Sequence, residues 1–201
     1  MAPASAIVTD VIGPIAIVRF NRPAERNPLS SATLNELRNA VSSQTAREKL
    51  TAIIFTGMDD VFASGADIRE LAQLDTAAAF EFARFGQKLF QTIADARQVT
   101  IAAINGYCMG GALDLALACD IRIAAPQALF AHPGARLGIV TGWGGTQRLP
   151  RLIGRTCALD VLLSARLIES QEALEIGLIT HLEATPLEVA IRFAKTLDRK
   201  R

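Results

Sequence analysis

Residues 101–120, IAAINGYCMGGALDLALACD, decide how this chain folds. Residues 101–104 read as a short apolar strand. Asn105-Gly106 interrupts it, a turn pair that tolerates positive φ. Gly110-Gly111 then opens an alanine- and leucine-rich helix, and a new strand starts near Ile121. A strand, a glycine turn and a helix start make a place for negative charge. The first helical N–H groups lack internal acceptors, and the helix dipole adds to their pull. Glycine at 110 and 111 lets a ligand oxygen approach the backbone without meeting a Cβ. Asp114 follows Gly111 by three residues, about one turn, on the same face. One short element thus carries an anion cradle with a carboxylate beside it. The plain alternative is a glycine-cushioned turn with an acidic first-turn residue, which helices favour anyway.

The 201 residues around this stretch suit one domain, or one domain with a small appendage, and half are hydrophobic, enough for a substantial core. A net charge of +1 gives no electrostatic case for nucleic acid or an anionic membrane surface. Cys108, Cys119 and Cys157 are too few and too scattered for a disulfide framework. Without a CxxC or a Cys/His cluster, no metal is expected. No apolar run reaches the length of a membrane span, and the N-terminus does not read as a secretory signal. A reducing, cytoplasmic setting is the expectation.

Strands alternate with helices elsewhere, which points to an α/β fold. Residues 7–20 read as a hairpin turning at Gly13-Pro14. Ser30 or Ser31 caps a helix over about 32–47, and residues 51–56 form a strand of the buried, parallel kind. Small residues at 63–66 then lead into a helix that Asp67 caps. Thr76 is the expected cap of a long amphipathic helix over 76–94, with Phe80, Phe85, Leu89 and Ile93 available for packing. Short strands follow at 121–124 and 128–131. Residues 141–154, TGWGGTQRLPRLIG, form a third glycine-rich turn opening into a helix, where Trp143 either lines a pocket or covers the core. Helices over about 156–163 and 170–176, the latter capped by Ser170 and stopped by Gly177, precede a strand at 178–182 and a last helix at 186–197. Residues 198–201 read as a solvated end.

Two separate strand-to-helix turns therefore end in small residues. Paired backbone donors aimed at one oxygen form an oxyanion hole, and the candidates are the N–H groups of Ala66 and Gly111. Such a hole suits an enolate or tetrahedral oxyanion made from a carbonyl or thioester.

The stretches FNRPAERNPLS, FASGADIRE, INGYCMGGALDLALACDIRIAA and LGIVTGWGGTQRLPRLIGR, in this order and spacing, resemble the enoyl-CoA hydratase/isomerase (crotonase) superfamily. The resemblance runs from about residue 7 to 197. It implies a single domain over 1–201, core about 5–185, built as a spiral of ββα units and C-terminally short compared with the family. It also implies a CoA thioester bound near the oxyanion hole, and a homotrimer or a hexamer of stacked trimers. Fatty acid metabolism is the corresponding setting. CoA enters as part of the substrate, and no separate cofactor is implied.

Carried over by position, Ala66 and Gly111 match the family's oxyanion-hole donors. Arg26, Ala66, Asp67 and Ile68 fall where the family contacts CoA, with Gly111 beside them. Asp114 matches the first of two glutamates that hydratases use on water, and Gly134 stands where the second belongs. Asp114 reads as a catalytic base or as a first-turn acid, and the resemblance favours the base. His132, two residues before Gly134, reads as a replacement acid/base or as a structural histidine; its ordinary pKa suits proton transfer near neutral pH. His132, Gly134 and Trp143 are the further pocket candidates. Asp120 reads as structural, and Tyr107 and Cys108 as packing residues. The implied activity is a lyase, reversible hydration of a 2-enoyl-CoA. The alternatives are enoyl-CoA isomerisation, acyl-CoA decarboxylation, or binding of a CoA thioester without catalysis.

Overall fold

The computed structural model describes residues 5–198, so the expectation for residues 199–201 lies outside the described residues. The chain opens with the hairpin β1 (Ile7–Ile12) and β2 (Ile15–Phe20), paired through Ile12 and Ile15 across a turn where Gly13 takes φ +58°. A 3-10 turn (Pro23–Glu25) and the short β3 (Pro28–Leu29) lead to α1 (Ser31–Thr45). Then come β4 (Ala52–Thr56), β5 (Val61–Ala63), β6 (Gly65–Ala66), α2 (Ile68–Leu71) and α3 (Thr76–Ala94). The central stretch supplies β7 (Val99–Ile104), β8 (Tyr107–Met109), α4 (Gly111–Ala118) and β9 (Ile121–Ala124). After it lie β10 (Leu129–Ala131), α5 (Gly134–Leu137), α6 (Gly145–Ile153) and α7 (Arg155–Ser164). The chain closes with β11 (Ile168–Glu169), α8 (Ser170–Glu175), β12 (His181–Leu182) and α9 (Pro186–Asp198).

The main sheet has the order β1-β2-β4-β7-β9-β12, parallel from β2 to β12 with β1 antiparallel at its edge. Its central strands β4 and β7 are almost wholly apolar because both faces are covered. Ala16, Val18, Ile53, Phe55, Ala102 and Ile104 point into the larger core, against α1, α3 and α4. The alternate residues Ile15, Ile17, Ile54, Ile101 and Ala103 point the other way, where Ala190 and Ala194 of α9 cover them. A second sheet, β11-β10-β8-β5, and the pair β3-β6 stand beside the main one.

Several expectations change in detail. Asp75, not Thr76, caps α3, because its carboxylate accepts from the Ala78 amide at 2.8 Å. Phe80 does not pack inward; it is 61% exposed, with the Arg84 guanidinium over its ring. Ser170 is the first residue of α8 rather than its cap, and its hydroxyl donates to the Pro126 carbonyl. The strand expected at 178–182 is reduced to β12.

Asn105 and Gly106 do not take positive φ. Asn105 instead acts as a side-chain brace. Its Oδ1 accepts from the Gly57 amide at 3.0 Å, and its Nδ2 donates to the carbonyls of Asp59 and Val61 at 2.9 and 3.1 Å. Gly106 is required for space, since a Cβ there would overlap the Asp60 carbonyl. Positive φ occurs further on, at Gly110 (+53°), whose amide donates to the Ala131 carbonyl at 2.8 Å. That bond ties the start of α4 to the end of β10. Gly106→Ala is expected to lower stability by about 1–3 kcal/mol, the usual cost of overpacking a fixed backbone. Thermal unfolding measures it, and an unchanged melting temperature would mean that the 58–61 turn yields freely.

Candidate active site

Helix α4 is buried from Ala112 to Ala118, so it has no solvent face on which to place a charge. Asp114 is on it nonetheless, with no exposed surface. A buried carboxylate needs donors, and a segment 27 residues further on supplies them. The Thr141 hydroxyl donates to Asp114 Oδ2, and the Trp143 amide reaches the same oxygen at 3.3 Å. The other oxygen, Oδ1, has no hydrogen-bond partner among the described residues. It lies 3.4 Å from Nε2 of His132, and both ring nitrogens of that buried histidine also lack a partner there.

Burial governs the charge of both groups. It raises the Asp114 carboxyl from an ordinary 3.8 to about 6, against the lowering effects of the Thr141 and Trp143 donors. It depresses His132 to about 4, so the imidazole is neutral at physiological pH. At neutral pH the pair is therefore a carboxylate beside a neutral ring, not an ion pair.

A cavity of about 310 Å³ opens over this pair. Ala66, Gly111, Asp114, His132, Gly134 and Trp143 all line it, with Ile68 at 58% exposure on its rim. Ala66 ends β6, whose pairing with β3 sets Gly65 beside Pro28 and Ala66 beside Leu29. The loop of Gly65-Ala66 touches the start of α4, as a Cβ on Gly65 would lie 3.0 Å from the Gly111 nitrogen. Gly111 begins its helix, so its amide has no intrahelical acceptor, and the dipole of α4 favours negative charge there. Two strand ends from different sheets thus bring a carboxylate and helix-start amides to one apolar chamber.

The remaining expected residues sit outside the lining. Asp67 caps α2 by accepting from the Arg69 amide at 2.9 Å, and the Arg69 guanidinium beside it holds its carboxyl below the usual range. Arg26 is exposed, its guanidinium 5.3 Å from the Tyr107 ring centroid. Its carbonyl accepts from the Ser64 amide at 3.0 Å, which keeps it near the rim. Asp120 serves structure, accepting from the Thr100 amide and hydroxyl at 2.7 and 2.9 Å.

Gly134 has no room for a side chain: a Cβ there would lie 2.6 Å from the Ile139 carbonyl oxygen. The Ile139 amide closes the same turn onto the Gly134 carbonyl at 3.0 Å. A carboxylate at this position would require another course for residues 134–139. Thr141 is the functional contact that sequence reasoning missed. Nothing local marks it, because its meaning lies in a partner on another element. No group of three or more His, Cys, Asp and Glu residues among the described residues could hold a metal ion. No helix among them is long and apolar enough to cross a membrane.

Comparison with known proteins gives a match to the family model described as Enoyl-CoA hydratase/isomerase over residues 12–198. A crotonyl-CoA hydratase of Syntrophomonas wolfei is 42% identical over 166 residues, which is 82% of this chain and 64% of that protein. A short-chain-enoyl-CoA hydratase of Clostridium acetobutylicum is 38% identical over 174 residues, 86% of this chain and 67% of that one. Among solved structures, Pseudomonas aeruginosa DspI superposes with a TM-score of 0.93 at 35% identity, covering 99% of this chain and 82% of that chain. The chain spans about two thirds of the length of the curated relatives it matches.

The raised pKa of Asp114 has a stability consequence. Because its folded-state pKa lies above the unfolded one, the associated stability is present in full below about pH 4 and lost as pH rises through 6. A shift of about two units corresponds to roughly 3 kcal/mol. Asp114→Asn, which cannot ionise, is therefore expected to be more stable than the parent at pH 8 and to lose that advantage at pH 4. Denaturant melts at the two pH values measure this, and a variant less stable at pH 8 would refute it.

Proposed function

Because the chain belongs to the enoyl-CoA hydratase/isomerase family, we propose that its cavity binds an acyl-CoA thioester and adds water reversibly to a 2-enoyl group. The observation that carries this reading is Asp114, a buried carboxylate with one oxygen held and the other unpartnered, in the same chamber as Ala66 and the first amide of α4. The relatives' names support the substrate class.

The N–H groups of Ala66 and Gly111 donate to the thioester carbonyl oxygen and draw electron density from Cβ. Asp114 Oδ1 takes a proton from a water whose oxygen bonds to Cβ. The π electrons of the double bond move toward the carbonyl, giving an enolate whose oxygen rests on the two amides. Collapse of the enolate returns the proton from the Asp114 carboxyl to Cα. H and OH have then been added across the double bond, and Asp114 is a carboxylate again. One acid/base group can serve both proton transfers, so the absence of a side chain at Gly134 does not break the cycle. Raised by burial to about 6, Asp114 is still ionised at neutral pH and is basic enough to take the proton.

Gly134 also favours a second reading. A single carboxylate can remove a proton from Cα of a 3-enoyl thioester and deliver it to Cγ, which is isomerisation through the same enolate.

Loss of enoyl absorbance on incubation with crotonyl-CoA tests hydration, and a 3-enoyl-CoA tests isomerisation. Asp114→Asn is expected to lower kcat by about 10²–10⁴-fold while CoA esters still bind. In the parent, kcat/KM is expected to rise with pH through an apparent pKa of about 6. Full turnover in Asp114→Asn would remove Asp114 from the mechanism.

A further inference from the structure

Trp143 is the chain's single tryptophan, and its indole is wedged between two helices. At one edge it meets Gly86, inside α3; at the other it meets Gly111, at the start of α4. A Cβ on either glycine would overlap the ring. Gly86 lies in the interior of a 19-residue helix, where glycine is a poor helix former, so its position there matches the room the indole needs. Phe82 and Phe90 of α3 pack on the ring with centroids at 5.2 and 5.5 Å. Trp143 is 4% exposed and fixed, yet it lines the cavity directly beside the Gly111 amide.

Behind it lies a second hollow of about 490 Å³, lined by Gln87, Gln91, Arg148 and Arg151 among others. Thr141, Gly142 and Trp143 line both spaces, so this segment is the partition between them. The partition is pinned on its far side. Gln87 donates to the Gly142 carbonyl at 2.8 Å, and Arg148 donates to the Trp143 carbonyl at 3.1 Å. The front chamber, about 310 Å³, is at the small end of ligand pockets.

We propose that the Trp143 indole is the inner end wall of the acyl chamber and restricts this protein to thioesters of short acyl groups. The inference rests on the acyl-CoA reading above and adds the acyl length to it. An acyl chain whose carbonyl sits at Gly111 runs against the indole within a few carbons. Further methylenes find a rigid ring rather than apolar space, and the affinity they would otherwise add is lost. A buried methylene ordinarily contributes about fourfold in affinity. Removal of the ring leaves apolar space against Phe82 and Phe90 and restores that increment.

The test uses free CoA and the unreactive esters butyryl-, hexanoyl- and octanoyl-CoA, with Trp143 emission as the reporter in the parent and calorimetry in variants. Butyryl-CoA is expected to shift the emission, and free CoA to leave it unchanged. Parent affinity is expected to stop rising, or to fall, between the four- and eight-carbon esters. In Trp143→Ala it is expected to rise about fourfold per methylene over the same range. Trp143→Phe keeps a ring in the wedge and moves the limit outward by about two carbons, which serves if the alanine variant does not fold. Octanoyl-CoA binding to the parent with the full methylene increment would overturn the proposal, as would an unchanged length limit in a folded variant. Failure of every ester to bind the parent would instead sink the acyl-CoA reading, and the length limit with it.

Discussion

A carboxylate on a helix without a solvent face is the constraint around which the centre of this protein is arranged. Asp114 cannot be hydrated where it lies, and an unpaired buried charge is costly. The chain meets the cost only in part. One oxygen of the carboxylate accepts from Thr141 and Trp143, while the other has no hydrogen-bond partner among the described residues and lies 3.4 Å from Nε2 of His132. Full satisfaction would give a stable but inert acid. Partial satisfaction leaves a carboxylate that is ionised at neutral pH, with its pKa raised to about 6 and one oxygen without a hydrogen-bond partner.

Everything that positions this group is rigid. Helix α4 is tied at its start through the Gly110 amide to β10, and at its end through the buried Arg122. That guanidinium donates to the Cys119 carbonyl at 2.6 Å and the Leu178 carbonyl at 2.9 Å, joining the helix C-terminus to the segment before β12. A cation there also complements the helix dipole. The loop of Ala66 is set by the small β3-β6 pair, and the segment over Asp114 by the wedge of Trp143 between α3 and α4. The same residue that fixes the carboxylate through its backbone bounds the chamber through its side chain. In the proposed reading, proton transfer and acyl length are thereby coupled to one short segment.

Gly134 shows how a missing side chain can be a property of the backbone rather than a simple deletion. The turn over residues 134–139 closes against the glycine itself, so chemistry that needs a second carboxylate there would need a different turn. The proposed single-carboxylate cycle suits the local geometry as it stands.

Much of the architecture was readable without coordinates. The apolar run at 51–56 announced a buried parallel strand, because a strand covered on both faces does not alternate. The glycines at 110 and 111, followed by Asp114 one turn on, marked the strand–turn–helix element, because those properties are local. Helix caps were less secure: Asp75 and Thr76 are both good caps, and only the path of the chain chose between them. Asn105 could not be read correctly from its turn-forming preference, since its side chain braces the loop between β4 and β5, 46 and 48 residues away. Thr141, the wedge of Trp143 between Gly86 and Gly111, and the lack of space at Gly134 were decided by tertiary structure alone. The first two are contacts between elements distant along the chain, the third depends on the turn that residues 134–139 take, and desolvation, which sets the pKa of Asp114, exists only once the distant elements have closed around it.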